Sequence, residues 1–195
     1  SLLKLNIDVP DDDFNEIYSD RIRKLAKRHW TSVDVAKQAS EYLAETPGTR
    51  VLDIGSGVGK FCMIGACHTH GYFVGVEQRG DLIDVAKTIA DSRDISNIKF
   101  IHSNITNVDF REYDAFYFFN SFHENIALYG QIDDIVQGDM QLYDLYTMYT
   151  FEQFHCLRPG TRLVTYCTAS DIIPSSFRLV YSLKSGLLKF WEKQP

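Results

Sequence analysis

Val51-Leu52-Asp53-Ile54-Gly55-Ser56-Gly57-Val58-Gly59 decides the fold. Its first four residues read as a short buried strand, and its glycines recur at every second position. Lys60 to Thr69 then reads as a helix. Glycines between a strand and a helix permit a tight turn and let a ligand approach the backbone closely. The helix start adds unsatisfied N–H groups that suit a carboxylate or phosphate. Strand, glycine loop and helix together predict a nucleoside-ligand site at one end of a sheet.

The same alternation continues outward. Tyr72 to Glu77 predicts a second strand, Asp81 to Ser92 a helix with Leu82, Val85, Ala86 and Ile89 inward, and Ile98 to His102 a third strand. Ala115-Phe116-Tyr117-Phe118-Phe119 has no polar alternation, which predicts a central strand covered on both faces. A long helix is expected over Tyr143 to Leu157. Arg158-Pro159-Gly160 then turns the chain into a fifth strand, Arg162 to Cys167. Alternating strands and helices imply right-handed crossovers and a parallel sheet with helices on both faces.

The two ends differ. Phe177 to Leu183 and Leu187 to Trp191, joined by Lys184-Ser185-Gly186, predict a tight and therefore antiparallel hairpin. Phe14, Ile17, Ile22 and Leu25 are spaced for one face of an N-terminal helix, and Thr31-Ser32 supplies a hydroxyl cap to a second helix ending at Pro47-Gly48. Val35, Ala39, Tyr42 and Leu43 form its predicted buried stripe. The fold class is thus α/β: a doubly wound, mostly parallel sheet with a C-terminal antiparallel hairpin and an N-terminal helical extension. The expected division is residues 1–30 for the extension and 31–195 for the main domain.

With 195 residues, 45% of them apolar and 24% charged, the chain has an ordinary globular composition. No apolar run approaches a membrane-spanning length, and residues 1–15 are acidic without the apolar stretch of a signal peptide. The net charge of −6 argues against broad nucleic-acid binding, which needs a basic face. The basic run from Arg21 to Arg28 reads first as a solvated helix face. Cys62, Cys67, Cys156 and Cys167 show no metal-ligand spacing and lie in apolar stretches, so they are expected as reduced core residues of a cytoplasmic protein. His68 and His70 lack a third ligand and suit a helix C-terminus. No metal site is expected.

Glu77 ends the second strand 22 positions after Gly55 (77 − 55). That is near the roughly 20-residue offset of a ribose-binding acid. Capping of the following helix is the competing role. The central strand runs into Asn120-Ser121-Phe122-His123-Glu124-Asn125, at the end of the sheet that faces the ligand crevice. His123 is a candidate base, since imidazole titrates near neutral pH; a polar helix start is the alternative.

The glycine run resembles the first motif of class I S-adenosylmethionine-dependent methyltransferases. Gly75-Val76-Glu77 resembles their second motif, Leu157 to Val164 their approach to the fifth strand, and the hairpin their last two strands. The resemblance spans about Thr31 to Trp191. It implies S-adenosylmethionine as cofactor, with Asp53, Gly55, Ser56 and Gly57 around its methionine end and Glu77 and Gln78 at the ribose. Asn104 and Ile105 fall at the adenine, where the family usually has an acid instead of Asn104. Trp30 and Thr31 precede the first family helix and fall near the methionine end, with core packing of Trp30 as the equal alternative. Asn120-Ser121-Phe122 resembles both the Asn-Pro-Pro-Tyr type segment of amino-group methyltransferases and the Asn-Asn-Phe of non-SET histone-lysine methyltransferases. This implies Asn120 as a residue touching both cofactor and acceptor, with His123 beside it, and transfer to a nitrogen of a protein or small molecule. A nicotinamide dehydrogenase, an aminopropyltransferase and a non-catalytic cofactor-binding module are the alternatives; the hairpin and the glycine spacing count against the first.

Overall fold

The computed structural model describes residues 9–119 and 140–195. Its elements are α1 (Asp11–Asn15), α2 (Asp20–His29), α3 (Val33–Leu43), β1 (Arg50–Ile54), α4 (Lys60–His68), β2 (Tyr72–Glu77), α5 (Gly80–Ser92) and β3 (Ile98–His102), followed by β4 (Ala115–Phe119), α6 (Met140–His155), β5 (Arg162–Tyr166), β6 (Phe177–Leu183) and β7 (Leu188–Lys193). They build one seven-stranded sheet in the order β3-β2-β1-β4-β5-β7-β6. The first five strands are parallel, and β7 runs antiparallel to both β5 and β6. From β1 the chain winds outward to β2 and β3, then returns to place β4 on the other side. The order therefore reverses between β1 and β4, where open α/β sheets bind ligands.

Neighbouring side chains of each parallel strand enter opposite cores. Val51, Phe73 and Tyr117 join α3, α4 and α5 in one cluster. Leu52, Val74 and Phe116 join Tyr146, Phe154 and Leu157 in the other. This double burial explains why β1, β2 and β4 lack polar alternation. α4 is buried over nearly all its length. It lies against the sheet so closely that a Cβ at Gly65 would sit 2.4 Å from the Phe73 ring. In α3, the Ser32 hydroxyl accepts the Val35 N–H, and Val35, Ala39 and Leu43 are buried while Tyr42 is partly so.

Two expectations need correction, and the expected hairpin shows an added asymmetry. The N-terminal region forms two short helices instead of one continuous face, with a turn between α1 and α2 in which Tyr18 N–H bonds the Asn15 carbonyl. Phe14, Tyr18 and Ile22 are nevertheless buried in the same core as α3 and α4. The cysteines do not share one environment: Cys62 is buried, Cys67 half-buried, and Cys156 and Cys167 are exposed. Both exposed residues follow the ends of regular elements, where apolar neighbours in sequence no longer imply burial. The hairpin is asymmetric. Leu188, Phe190 and Trp191 of β7 are buried, whereas β6 buries only Phe177. As the outermost strand, β6 has a bulge between Leu179 and Tyr181 that breaks its register. A bulge at a sheet edge hinders pairing with another chain.

No helix among the described residues is long and apolar enough to cross a membrane. None of their His, Cys, Asp or Glu side chains cluster in a group able to hold a metal ion.

Candidate active site

The loop after β1 adopts a conformation open chiefly to glycine. Gly55, Gly57 and Gly59 have φ of 75°, 53° and 75°. Backbone bonds fix its course, because the N–H groups of Gly55 and Ser56 both donate to the Val76 carbonyl. A Cβ at Gly59 would lie 2.3 Å from the Phe100 ring, so this glycine also lets α4 approach β3.

Glu77 ends β2 with its carboxylate aimed back at the loop. One oxygen accepts the Gly57 N–H at 3.2 Å, and the other accepts the Arg79 N–H at 2.9 Å. The Arg79 guanidinium stands 3.6 Å away, and both side chains are almost wholly buried. A carboxylate has about four acceptor positions. The two backbone donors take one position on each oxygen. Whatever its expected role at a ribose, Glu77 buttresses the glycine loop through Gly57, with the Arg79 guanidinium beside it.

Asp53 is 4% exposed and accepts a weak bond from the Cys62 thiol at 3.4 Å. Burial, aided by repulsion from Glu77, pushes its pKa up to about 7 against the opposing effect of the Cys62 bond. Two buried carboxylates thus share one end of the sheet, an arrangement that favours a cationic ligand. The Ser56 hydroxyl is also buried, without a hydrogen-bond partner among the described residues. These groups fit the ammonium, sulfonium and ribose diol of S-adenosylmethionine.

Asn104 and Gln78 meet through a residue that sequence spacing does not reveal. Tyr146 of α6 accepts a bond from the Asn104 amide at 2.7 Å and donates to the Gln78 carbonyl at 3.3 Å. The Asn104 carbonyl accepts from both the backbone N–H and the hydroxyl of Thr106. Its side chain therefore caps a helical turn that begins at the buried Ile105. The arrangement brings the ends of β2 and β3 against α6. No local pattern could indicate Tyr146, since it lies 42 positions from Asn104.

On the other side, Thr31 and Tyr117 share a buried hydroxyl–hydroxyl bond of 2.7 Å. The indole of Trp30 stands above Gly57. Structure therefore brings together Asp53, Gly55, Ser56, Gly57, Glu77 and Gln78, with Asn104 and Ile105 at the neighbouring strand end. Asn120 and His123 lie outside the described residues. Tyr143, the first residue of the expected long helix, packs half-buried against the α6 core.

Comparison with known proteins gives a consistent result. A family model described as a methyltransferase domain matches residues 45–173. No curated protein matches the sequence. Among solved structures, TrmN from Thermus thermophilus is similar with a TM-score of 0.59 and 20% identity over 91% of this chain; the chain spans only 53% of TrmN. An RNA methyltransferase from Salinibacter ruber, in complex with S-adenosyl-L-homocysteine, has a TM-score of 0.55 and 19% identity, covering 83% of this chain and 90% of its own. A variant of MtNAS in complex with S-adenosylmethionine has a TM-score of 0.59 and 16% identity, covering 99% of this chain and 72% of its own. These likenesses share the fold, and the family model reaches from the turn before β1 past β5. The chain belongs to the S-adenosylmethionine-dependent methyltransferase family and has its class I fold.

Proposed function

We propose that this protein transfers the methyl group of S-adenosylmethionine to a nitrogen of a protein or small-molecule acceptor held beyond the carboxyl end of β4. One observation carries the placement: Phe118 is in register with Ile54, so β4 ends beside the glycine loop that follows β1. Asn120 is the first polar residue after that strand in sequence. At the ends of β4 and β5, Phe119 and Tyr166 bring their rings to 5.0 Å and form an aromatic rim. Such a rim limits water around the reacting atoms.

The cofactor supplies an activated methyl on a sulfonium, so alignment of acceptor, methyl carbon and sulfur provides much of the rate. The acceptor nitrogen forms the new C–N bond as the C–S bond breaks and S-adenosylhomocysteine leaves. In this reading Asp53 holds the ammonium, Glu77 the ribose, and the loop glycines leave space for the methionine chain. Asn120 orients the acceptor through its amide, and His123 takes a proton where the nitrogen must lose one.

Incubating the protein with lysate and a labelled methyl donor, followed by mass spectrometry of proteins, small molecules and RNA, identifies the acceptor. Label confined to RNA would reject the reading. Charge favours the stated acceptors: the chain is net acidic, and in α2 Arg21 pairs with Asp81 and Arg23 with Asp20. With the acceptor in hand, Asn120→Ala should lower turnover at least about tenfold, or about 1.4 kcal/mol of barrier. Its affinity for S-adenosylhomocysteine should stay nearly intact. Full activity would place the acceptor elsewhere.

Asp53 adds a pH signature. Its folded-state pKa of about 7 lies above the ordinary 3.8, so the folded protein without ligand holds a proton that the unfolded chain has lost. This contribution favours folding below pH 3.8 and is lost as pH rises through 7. An ammonium beside Asp53 reverses the preference, because it stabilises the ionised carboxylate. Binding of S-adenosylhomocysteine should therefore release a proton below pH 7 and tighten as pH rises from 6 to 7. Calorimetry in buffers of different ionisation enthalpy measures that release. In Asp53→Asn it should vanish; persistence of the full signal there would remove Asp53 from the ammonium site.

A further inference from the structure

We propose that segment 9–32 completes the cofactor site, with the Trp30 indole N–H and the Tyr18 hydroxyl donating to the carboxylate at the cofactor's amino-acid end. The inference rests on the cofactor reading above and assigns it a second half. The matched family model begins at residue 45 and so gives this segment no role.

The segment is built into the molecule beside the glycine loop. Lys60, at the start of α4, is 3% exposed. Its ammonium donates to Asp11 and, at 2.9 Å, to Asn15. The same Asp11 oxygen accepts the Val33 N–H at 3.1 Å, which ties α1 to the start of α3 as well. A buried lysine is costly unless paired, so this clasp fixes α1 over the helix that follows the loop.

What the clasp positions are two buried polar atoms without partners. The Trp30 indole nitrogen and the Tyr18 hydroxyl are both sealed from solvent and make no hydrogen bond among the described residues. Their rings lie 5.2 Å apart. A Cβ built on Gly57 would lie 3.6 Å from the Trp30 nitrogen, so its N–H edge faces the glycine loop. Indole nitrogen is a donor only. Burial raises the Tyr18 pKa well above the usual phenol range, so this hydroxyl keeps its proton. Native interiors rarely leave such groups unmet. A carboxylate supplies acceptors for both. Asp53 across the loop suits the opposite charge, so an amino acid's ammonium and carboxylate are each matched.

The test compares S-adenosylhomocysteine with 5′-methylthioadenosine, a thioether of the same nucleoside that lacks the amino-acid end. Trp30→Phe and Tyr18→Phe keep the rings and remove one donor each. Each should weaken S-adenosylhomocysteine binding about tenfold, the scale of a hydrogen bond to a charged group, and leave 5′-methylthioadenosine binding unchanged. Thermal melts identify a variant that has unfolded, in which case the other variant decides. Undiminished S-adenosylhomocysteine affinity in both, or equal losses for both ligands, would overturn the inference. Failure of the unmodified protein to bind S-adenosylhomocysteine would instead overturn the cofactor reading on which it rests.

Discussion

Glu77→Ala is expected to remove measurable binding of S-adenosylhomocysteine. Hydrogen bonds to a charged group are worth about 1.5–3 kcal/mol each. Two ribose hydroxyls therefore correspond to a loss of roughly two to four orders of magnitude in affinity. The geometry adds to this. Glu77 also accepts the N–H groups of Gly57 and Arg79, so alanine releases the loop itself. The substitution also takes the carboxylate away from the buried Arg79 guanidinium, and removing one partner of a buried pair typically costs about 3–5 kcal/mol. Binding and stability should fall together, which the spacing of Glu77 alone would not suggest. Glu77→Gln separates the two: it keeps the shape and one acceptor while losing the charge, and should remain folded with weakened binding. Gly55→Val offers an independent arm, since a β-branched residue is strained at a φ of 75° and intrudes where the ligand meets backbone. Calorimetric titration beside a thermal melt checks all three. A folded Glu77→Ala protein with the unmodified affinity would remove Glu77 from the site.

Deleting residues 177–195 should prevent folding of the whole unit. β7 lies between β5 and β6, and its Leu188, Phe190 and Trp191 enter both cores. Burial of each such side chain is worth about 1.5–3 kcal/mol. Together they approach the roughly 5–15 kcal/mol that keeps a domain folded. Deletion also uncovers the β5 edge, and it cuts the bonds from Lys193 to the His155 carbonyl and Ser176. Trimming only the exposed side chains of β6 is a different experiment. Leu179, Val180 and Leu183 are each about 40% exposed or more, so serine at these positions should change the melting temperature little. A soluble 1–176 protein that melts at the original temperature would refute the role given to β7.

Much of this fold is written in local sequence. β2, β3 and β4 span the residues that their apolar runs predict, and β1 and the following helix differ by a residue at an end. Strand period, glycine punctuation and turn residues act over a few positions, so they can be read without knowing the partners. The cofactor loop was legible for the same reason. Gly55, Gly57 and Gly59 do take positive φ, and the alternating parallel pattern places Glu77 beside them.

Burial and partnership belong to the tertiary structure. Cys62 and Cys167 both sit in apolar stretches, yet the one in α4 is buried and the other is exposed after β5. Apolar residues recur along β6 as well, yet this outermost strand buries only Phe177. Asn104 was visible as a residue after β3, but its engagement by Tyr146 required α6 to fold back across 42 positions. Lys60 read as an ordinary first residue of a helix until Asp11 and Asn15 closed over it. The sequence by itself determined the order of strands and helices and the shape of the glycine loop, since these follow from short-range backbone preference and hydrophobic period. Only the tertiary structure decided which polar groups are left buried without a partner, because desolvation depends on every element packed around them.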